Sequence, residues 1–256
     1  MADGLAEAEE GSQTLSDSLE EGAESSALSQ SEIDSKASVM SEPVDMEDEY
    51  YTEVANYGTG FAPFFIPLGI WVGCLLAGFL FKPLNTRIAM SGGNPFMVAF
   101  SGYIPLALYA VIQAVIALLF VQFALGATID NVPLYYLVGI VCSLVFMAIM
   151  QFLVASFGFV GRFLAVFLLT LQLTSSAGTF PLELIPDLFN WLNPWMPMTY
   201  AVEGLRQAMT GVNTIVVGWD IAILCVFGFI FFIGTALYAY SKRTVKLTDI
   251  HPLLDL

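Results

Sequence analysis

The residues able to do chemistry are few and poorly placed for it. The single histidine, His251, lies in the carboxyl-terminal tail, so neither a histidine-based zinc site nor a Ser-His-Asp triad can be assembled. Cys74, Cys142 and Cys225 each sit inside an apolar run and read as small buried hydrophobes, not as a disulfide framework or a metal site. The short glycine-rich stretch Ser91-Gly92-Gly93-Asn94 lacks the Lys and Ser/Thr that complete a phosphate-binding loop. The chain is therefore expected to be no enzyme, to hold no cofactor or metal, and not to hydrolyse ATP by itself.

What remains is a short polar inventory inside apolar sequence: Gln113, Gln122, Gln151, Gln172 and the patch Thr174, Ser175 and Ser176. Two readings stay open. These groups hydrogen-bond between helices, or some of the amides, Gln113, Gln151, Gln172 and Ser175 among them, line a pathway for an amphipathic or lipidic substrate. No acidic residue lies well within an apolar run, which disfavours an ion-coupled carrier with an ionisable group at the membrane midplane. Arg162, at a run boundary, is expected to snorkel toward lipid headgroups.

The elements that must position these groups follow from composition. Of 256 residues, 57% are apolar and 12% charged, with a mean hydropathy of +0.75. Soluble chains carry about 25% charged residues, so the surplus apolar surface calls for a bilayer. Five stretches, about 61–81, 96–125, 134–157, 160–180 and 221–240, reach the roughly 20 residues that cross a hydrocarbon core. Continuous apolarity selects helices over a barrel. The expected fold is an all-α membrane protein of five transmembrane helices within a domain of residues 57–246. Pro63, Pro67 and Pro105 should kink or open their helices. Gly69, Gly73 and Ala77 recur every four residues, a small-residue stripe for close helix packing inside the bundle or at a dimer interface.

The net charge is -15, and 16 of the 23 acidic residues lie between Asp3 and Glu53. Residues 1–56 thus form an acidic head, which argues against nucleic acid as a partner. Leu5, Ser12 and Leu19 at one heptad position, and Ala8, Leu15 and Gly22 at another, trace a weak coiled-coil seam. The head is either helical or a solvated linker that orders against a partner. No signal peptide is visible at Met1, so either an upstream span is missing or the first internal span directs insertion.

Six of eight cationic residues, Lys82, Arg87, Arg162, Lys242, Arg243 and Lys246, fall on one side if the span count is odd. The positive-inside rule then places the head outside and the tail, 247–256, in the cytoplasm. Trp191, Trp195 and Trp219, with Tyr135 and Tyr136, fall at outer ends, and Tyr238 and Tyr240 at an inner end, as interfacial belts do. The segment 179–211 carries Pro181, Pro186, Pro194 and Pro197 with Trp191 and Trp195, and is too broken to span. It is expected to be an outer re-entrant or amphipathic segment. A short helix over about Thr199 to Met209 should lie along the membrane surface with Glu203 and Arg206 on its polar side.

The strings NYGTGFAPFFIPLGIWVG at 56–73, FKPLN at 81–85 and GRFLAVFLLTLQLTSSAGTFPLELIPDLFNWLNPWMPMTYAVEGLRQAMTG at 161–211 closely resemble the carboxyl-terminal half of the YhgE/Pip (phage infection protein) family, over roughly Glu42 to Lys246. That family is similar to the membrane domains of ABC-2 type exporters. The resemblance implies a multi-pass protein of a Gram-positive cell membrane; full-length members carry a first span and a large extracellular domain before the last five spans, so this chain is expected to be either a fragment of a longer protein or a shortened member that needs a partner. The loop Lys82 to Pro95 would dock a separate nucleotide-binding subunit, with Asn85 and Arg87 as candidate contacts, unless its cations merely fix topology. A homo-dimer or hetero-oligomer is expected. The leading function is a membrane subunit of an exporter driven by that ATPase. The alternative is a non-transporting envelope or secretion-system protein whose outer face a phage particle can exploit, and a membrane-embedded enzyme is the weakest reading.

Overall fold

Three of the long helices begin on an asparagine cap. Asn94 Oδ1 accepts from Phe96 N at 3.2 Å, Asn131 Oδ1 from Leu134 N at 3.2 Å, and Asn213 Oδ1 from Ile215 N at 3.1 Å. Each cap satisfies amides that the first turn leaves orphaned. The computed structural model describes residues 2–26, 34, 36, 57–85, 94–178, 184–211 and 213–241. These fall into two units, Met1–Tyr51 and Thr52–Leu256.

The first unit contains helix α1, Ala2–Ser26. Thr14 and Ser18 turn their hydroxyls back onto the Glu10 and Thr14 carbonyls at 2.8 and 2.7 Å, which keeps them from competing with the helix for backbone groups. Leu15 and Leu19, from the heptad seam, are exposed.

The second unit is a helical bundle of α2 (Tyr57–Leu80), α3 (Pro95–Leu119), α4 (Val132–Phe157), α5 (Phe159–Ser175), α6 (Asp187–Leu192), α7 (Pro197–Thr210) and α8 (Thr214–Ser241). A π-turn, Phe120–Ala124, extends α3, and a 3₁₀ turn, Asn193–Trp195, follows α6. Helices α2 and α3 run through Pro63, Pro67 and Pro105 without a break. Helix α4 is the axis of the bundle and packs on α2, α3, α5, α7 and α8. Trp71, Tyr135, Phe146, Met150, Met198 and Leu224 fill the core around it.

Among the described residues, four helices are long and apolar enough to cross a membrane: Gly58–Leu80, Pro95–Ala124, Val132–Phe157 and Thr214–Ser241. The fourth apolar run, expected over 160–180, yields a helix of 17 residues. At about 1.5 Å per residue it is ~25 Å long, short of a ~30 Å hydrocarbon core. It stops where Thr174, Ser175 and Ser176 offer competing hydroxyls and Ala177 takes a positive φ of 51°. Helix α8 begins seven residues before the expected run, at Thr214 rather than 221.

The structure overturns the sequence expectations for Tyr135 and Cys225. Tyr135 is fully buried and donates from Oη to the Leu118 carbonyl at 3.2 Å, so it belongs to the core and not to an interfacial belt. Cys225 is exposed on α8, whereas Cys74 and Cys142 are buried.

Candidate functional site

The polar groups gather at three levels of the bundle. At the end that holds the α2–α3 connection, Gln151 of α4 spends both amide hydrogens on backbone. Its Nε2 donates to Pro83 O at 2.8 Å and to Ala99 O at 3.0 Å. Gly102 of α3 lies so close that a Cβ there would meet Pro83 O at 2.6 Å and Leu84 Cα at 3.1 Å. Arg162 Nε donates to Gly78 O at 3.0 Å, and its guanidinium carbon stands 5.2 Å from the centre of the Phe79 ring. Arg162 therefore ties α5 to the end of α2, where sequence alone suggested contact with lipid headgroups. Asn85 is half-buried in this connection, and Arg87 lies outside the described residues.

At the middle level, Gln113 of α3 is the hub. Its Nε2 lies 3.2 Å from Ile70 O, 3.0 Å from Cys74 Sγ and 3.2 Å from Ser143 Oγ, and Ser143 in turn donates to Ala110 O at 2.7 Å. Gly73 makes the room: a Cβ there would sit 2.2 Å from Gln113 Oε1. Ala77, one turn on, is fully buried, whereas Gly69 has open space around it. The small-residue stripe is thus split, with two members inside the bundle and one outside.

Gln172 of α5 differs from both. It is 1% exposed, and neither amide atom has a hydrogen-bond partner among the described residues. The same holds for Ser176 Oγ, while Ser175 donates to its own Leu171 O at 2.8 Å. Gln113, Gln151 and Gln172 share no partner, so they do not form one chain of amides.

The third level is the opposite end. Asp130 N and Asn131 N donate to Met209 O and Ala208 O, both at 3.1 Å, which ties the α3–α4 loop to the last turn of α7. Gly211, at φ 70°, closes α7 in the left-handed conformation that favours glycine. Helix α7 buries Met198, Ala201, Val202, Leu205, Ala208 and Met209 against α2, α4 and α8. Its apolar face is covered by protein, not turned to lipid as a surface helix would be. Its polar side carries Glu203, which bonds Arg206 Nη1 at 3.1 Å and Gln207 Nε2 at 2.7 Å. Arg206 also reaches the Ala177 carbonyl at 3.4 Å.

The exposed apolar stripe lies one element earlier. Leu184, Leu188, Trp191 and Trp195, spaced at helical intervals, are all exposed. Pro186 starts α6, and Pro194 accepts from Tyr200 Oη at 2.9 Å. Pro181 lies outside the described residues. Burial pushes the Tyr200 phenol up from its ordinary 10, with the charge of Asp220 adding to the effect.

Asp220 was missed by the sequence reading. It sits in α8, 6% exposed, with Oδ2 unpartnered among the described residues and Gly204 of α7 beside it. The signal was Asn213, a helix cap seven residues upstream that brings Asp220 within the helix.

An apolar cleft of about 450 Å³ opens between α3, α4 and α8, lined by Phe100, Tyr103, Val145, Gly228, Phe229 and Phe232 among others. Among the described residues no group of three His, Cys, Asp or Glu could hold a metal ion.

Short helices α6 and α7 lie beside the long ones, and α7 packs on α2, α4 and α8. A model of the ABC-2 family transporter proteins matches residues 6–237. Over 172 residues the chain is 35% identical to the Bacillus subtilis (strain 168) protein named "Uncharacterized protein YhgE". That match covers 67% of this chain and 22% of the relative, so the chain spans about a fifth of that protein's length. No solved structure matches. A multi-pass helical bundle matched along nearly its whole length, with its YhgE-like sequence, belongs to the ABC-2 transporter family.

Proposed function

We propose that the chain is the membrane subunit of an exporter whose power comes from a separate ATPase docking on the loop between α2 and α3. The observation that carries this reading is the family match across residues 6–237 on a chain with no phosphate-binding loop of its own. Helix α5 serves as a fifth, short span, and with it Lys82, Arg162 and Lys242 come to one side. The bundle's internal ties support that sidedness. The Pro83 segment, Arg162 and the start of α3 meet at one end, and the Asp130 loop meets α7 at the other. In this orientation the tail and the α2–α3 loop are cytoplasmic and the acidic head is outside, as in a Gram-positive cell envelope. The chain hydrolyses no nucleotide itself and works as a homo-dimer or with a second membrane subunit.

Single-cysteine labelling of intact cells tests the orientation. A cysteine replacing Glu20 should react with a membrane-impermeant maleimide, and one replacing Lys246 should react only after permeabilisation; the reverse pattern removes the reading. Docking is tested by copurification. An ATPase should accompany the chain and lose binding on Arg87→Glu, and undiminished association would exclude the loop as its seat.

The family resemblance also suggests a second role for the outer face, as a surface that a phage particle grips, and the exposed Leu184, Leu188, Trp191 and Trp195 are the residues to test for it. Under that role, substitutions within 184–195 block phage adsorption and leave efflux intact. Equal loss of both would assign the stripe to transport alone.

A further inference from the structure

The connection leaving α2 is held from three sides. Gly78 O takes Arg162 of α5, Pro83 O takes Gln151 of α4, and the backbone at 83–85 rests against Gly102 of α3. Among the described residues, Gln151 bonds both to the start of the loop and to α3 beyond its other end. Its two acceptors, Pro83 and Ala99, flank the segment between them, and the donor sits on the helix at the centre of the bundle. The amide cannot be turned round, because that would press Oε1 against two carbonyl oxygens. Only the donor half of the amide is satisfied, since Oε1 is buried with no partner among the described residues, so the two Nε2 bonds are what the side chain contributes here. At the same joint the packing is nearly complete: a void of about 10 Å³, no larger than one water, is lined by Gly78, Phe81, Pro83, Met147, Gln151 and Val154.

We infer that Gln151 is the positioning residue that makes the α2–α3 loop and helix α4 move as one, so that force applied to the loop reaches the centre of the bundle. This rests on the reading that an ATPase docks on that loop. Binding and turnover are therefore read separately in the test.

Two variants open it from opposite sides. Gln151→Leu removes both donors while keeping the side chain's bulk, and Gly102→Ala puts a methyl where Pro83 O now lies. With the copurified ATPase in proteoliposomes, both variants should bind the ATPase within twofold of the parent while the stimulated ATP turnover falls about tenfold, the order expected from two lost hydrogen bonds. Unchanged turnover, or turnover that falls only in step with binding, overturns the inference. A second measurement needs no ATPase. In a Cys225→Ser background, a cysteine replacing the half-buried Leu84 is labelled by an impermeant maleimide in inside-out vesicles. Labelling should be about tenfold faster with Gln151→Leu than without it. Equal rates show that Gln151 does not hold the loop, whatever docks there. If the rate rises and no ATPase copurifies, the joint stands and the power source is the part that fails.

Discussion

Replacing Trp71 by alanine is expected to destabilise the bundle by about 3 kcal/mol. Trp71 is fully buried in α2, meets the Phe146 ring of α4 edge-on at 4.9 Å, and donates from Nε1 to Ala165 O of α5 at 3.2 Å. One side chain thus joins three helices. Lipid is nearly as apolar as the core, so the transfer part of the loss is smaller than in water. The cavity and the lost hydrogen bond remain. Trp71→Phe keeps most of the volume and should cost about 1 kcal/mol, chiefly the hydrogen bond. Thermal unfolding in detergent checks both, and two variants of equal, small effect would show that the Trp71 contact does not hold α2, α4 and α5 together.

Gly161→Ala is expected to destabilise the bundle strongly and lower the yield of folded protein. A Cβ at this position would lie 2.0 Å from Leu153 O and 2.5 Å from Leu153 C, and backbone cannot step aside as a rotamer can. The approach is forced by the turn between α4 and α5. The turn consists of Gly158 alone, at φ 58° and ψ −122°, a conformation that side chains exclude. Overpacking of this kind costs about 3 kcal/mol or more. Gly69→Ala is the control, because nothing lies within 4 Å of its Cβ position. It should be neutral or gain a few tenths of a kcal/mol from helix propensity. Recovery of folded Gly161→Ala at parental yield in size-exclusion chromatography would mean that the α4–α5 hairpin is looser than described.

The contrast between α4 and α8 shows where sequence reading ends. Both are equally apolar to the eye, yet 72% of the α4 window is buried in protein against 17% for α8. Hydropathy measures the preference for leaving water, and lipid and protein interior satisfy it alike. The apolar runs could therefore be read off the chain, but their order of burial could not. The same ambiguity explains why Tyr135 looked interfacial, Cys225 looked buried, and the apolar face of α7 looked ready for lipid. Element ends failed for a different reason. Thr174, Ser175 and Ser176 cut α5 short, and Asn213 started α8 early, because local capping chemistry overrides average apolarity there. The glutamines were recognisable as the polar inventory. Their partners were not, since Gln113 and Gln151 bond to carbonyls far away in sequence.

Under the proposed function, the bundle transports only with power borrowed from another polypeptide. The most direct measurement is ATP turnover in proteoliposomes containing the chain alone, a copurifying ATPase alone, and the two together. The account predicts no hydrolysis from the chain, a basal rate from the ATPase, and a rate raised by their combination that Arg87→Glu returns to basal. Hydrolysis by the chain alone, or a combined rate equal to the ATPase's own, would contradict it.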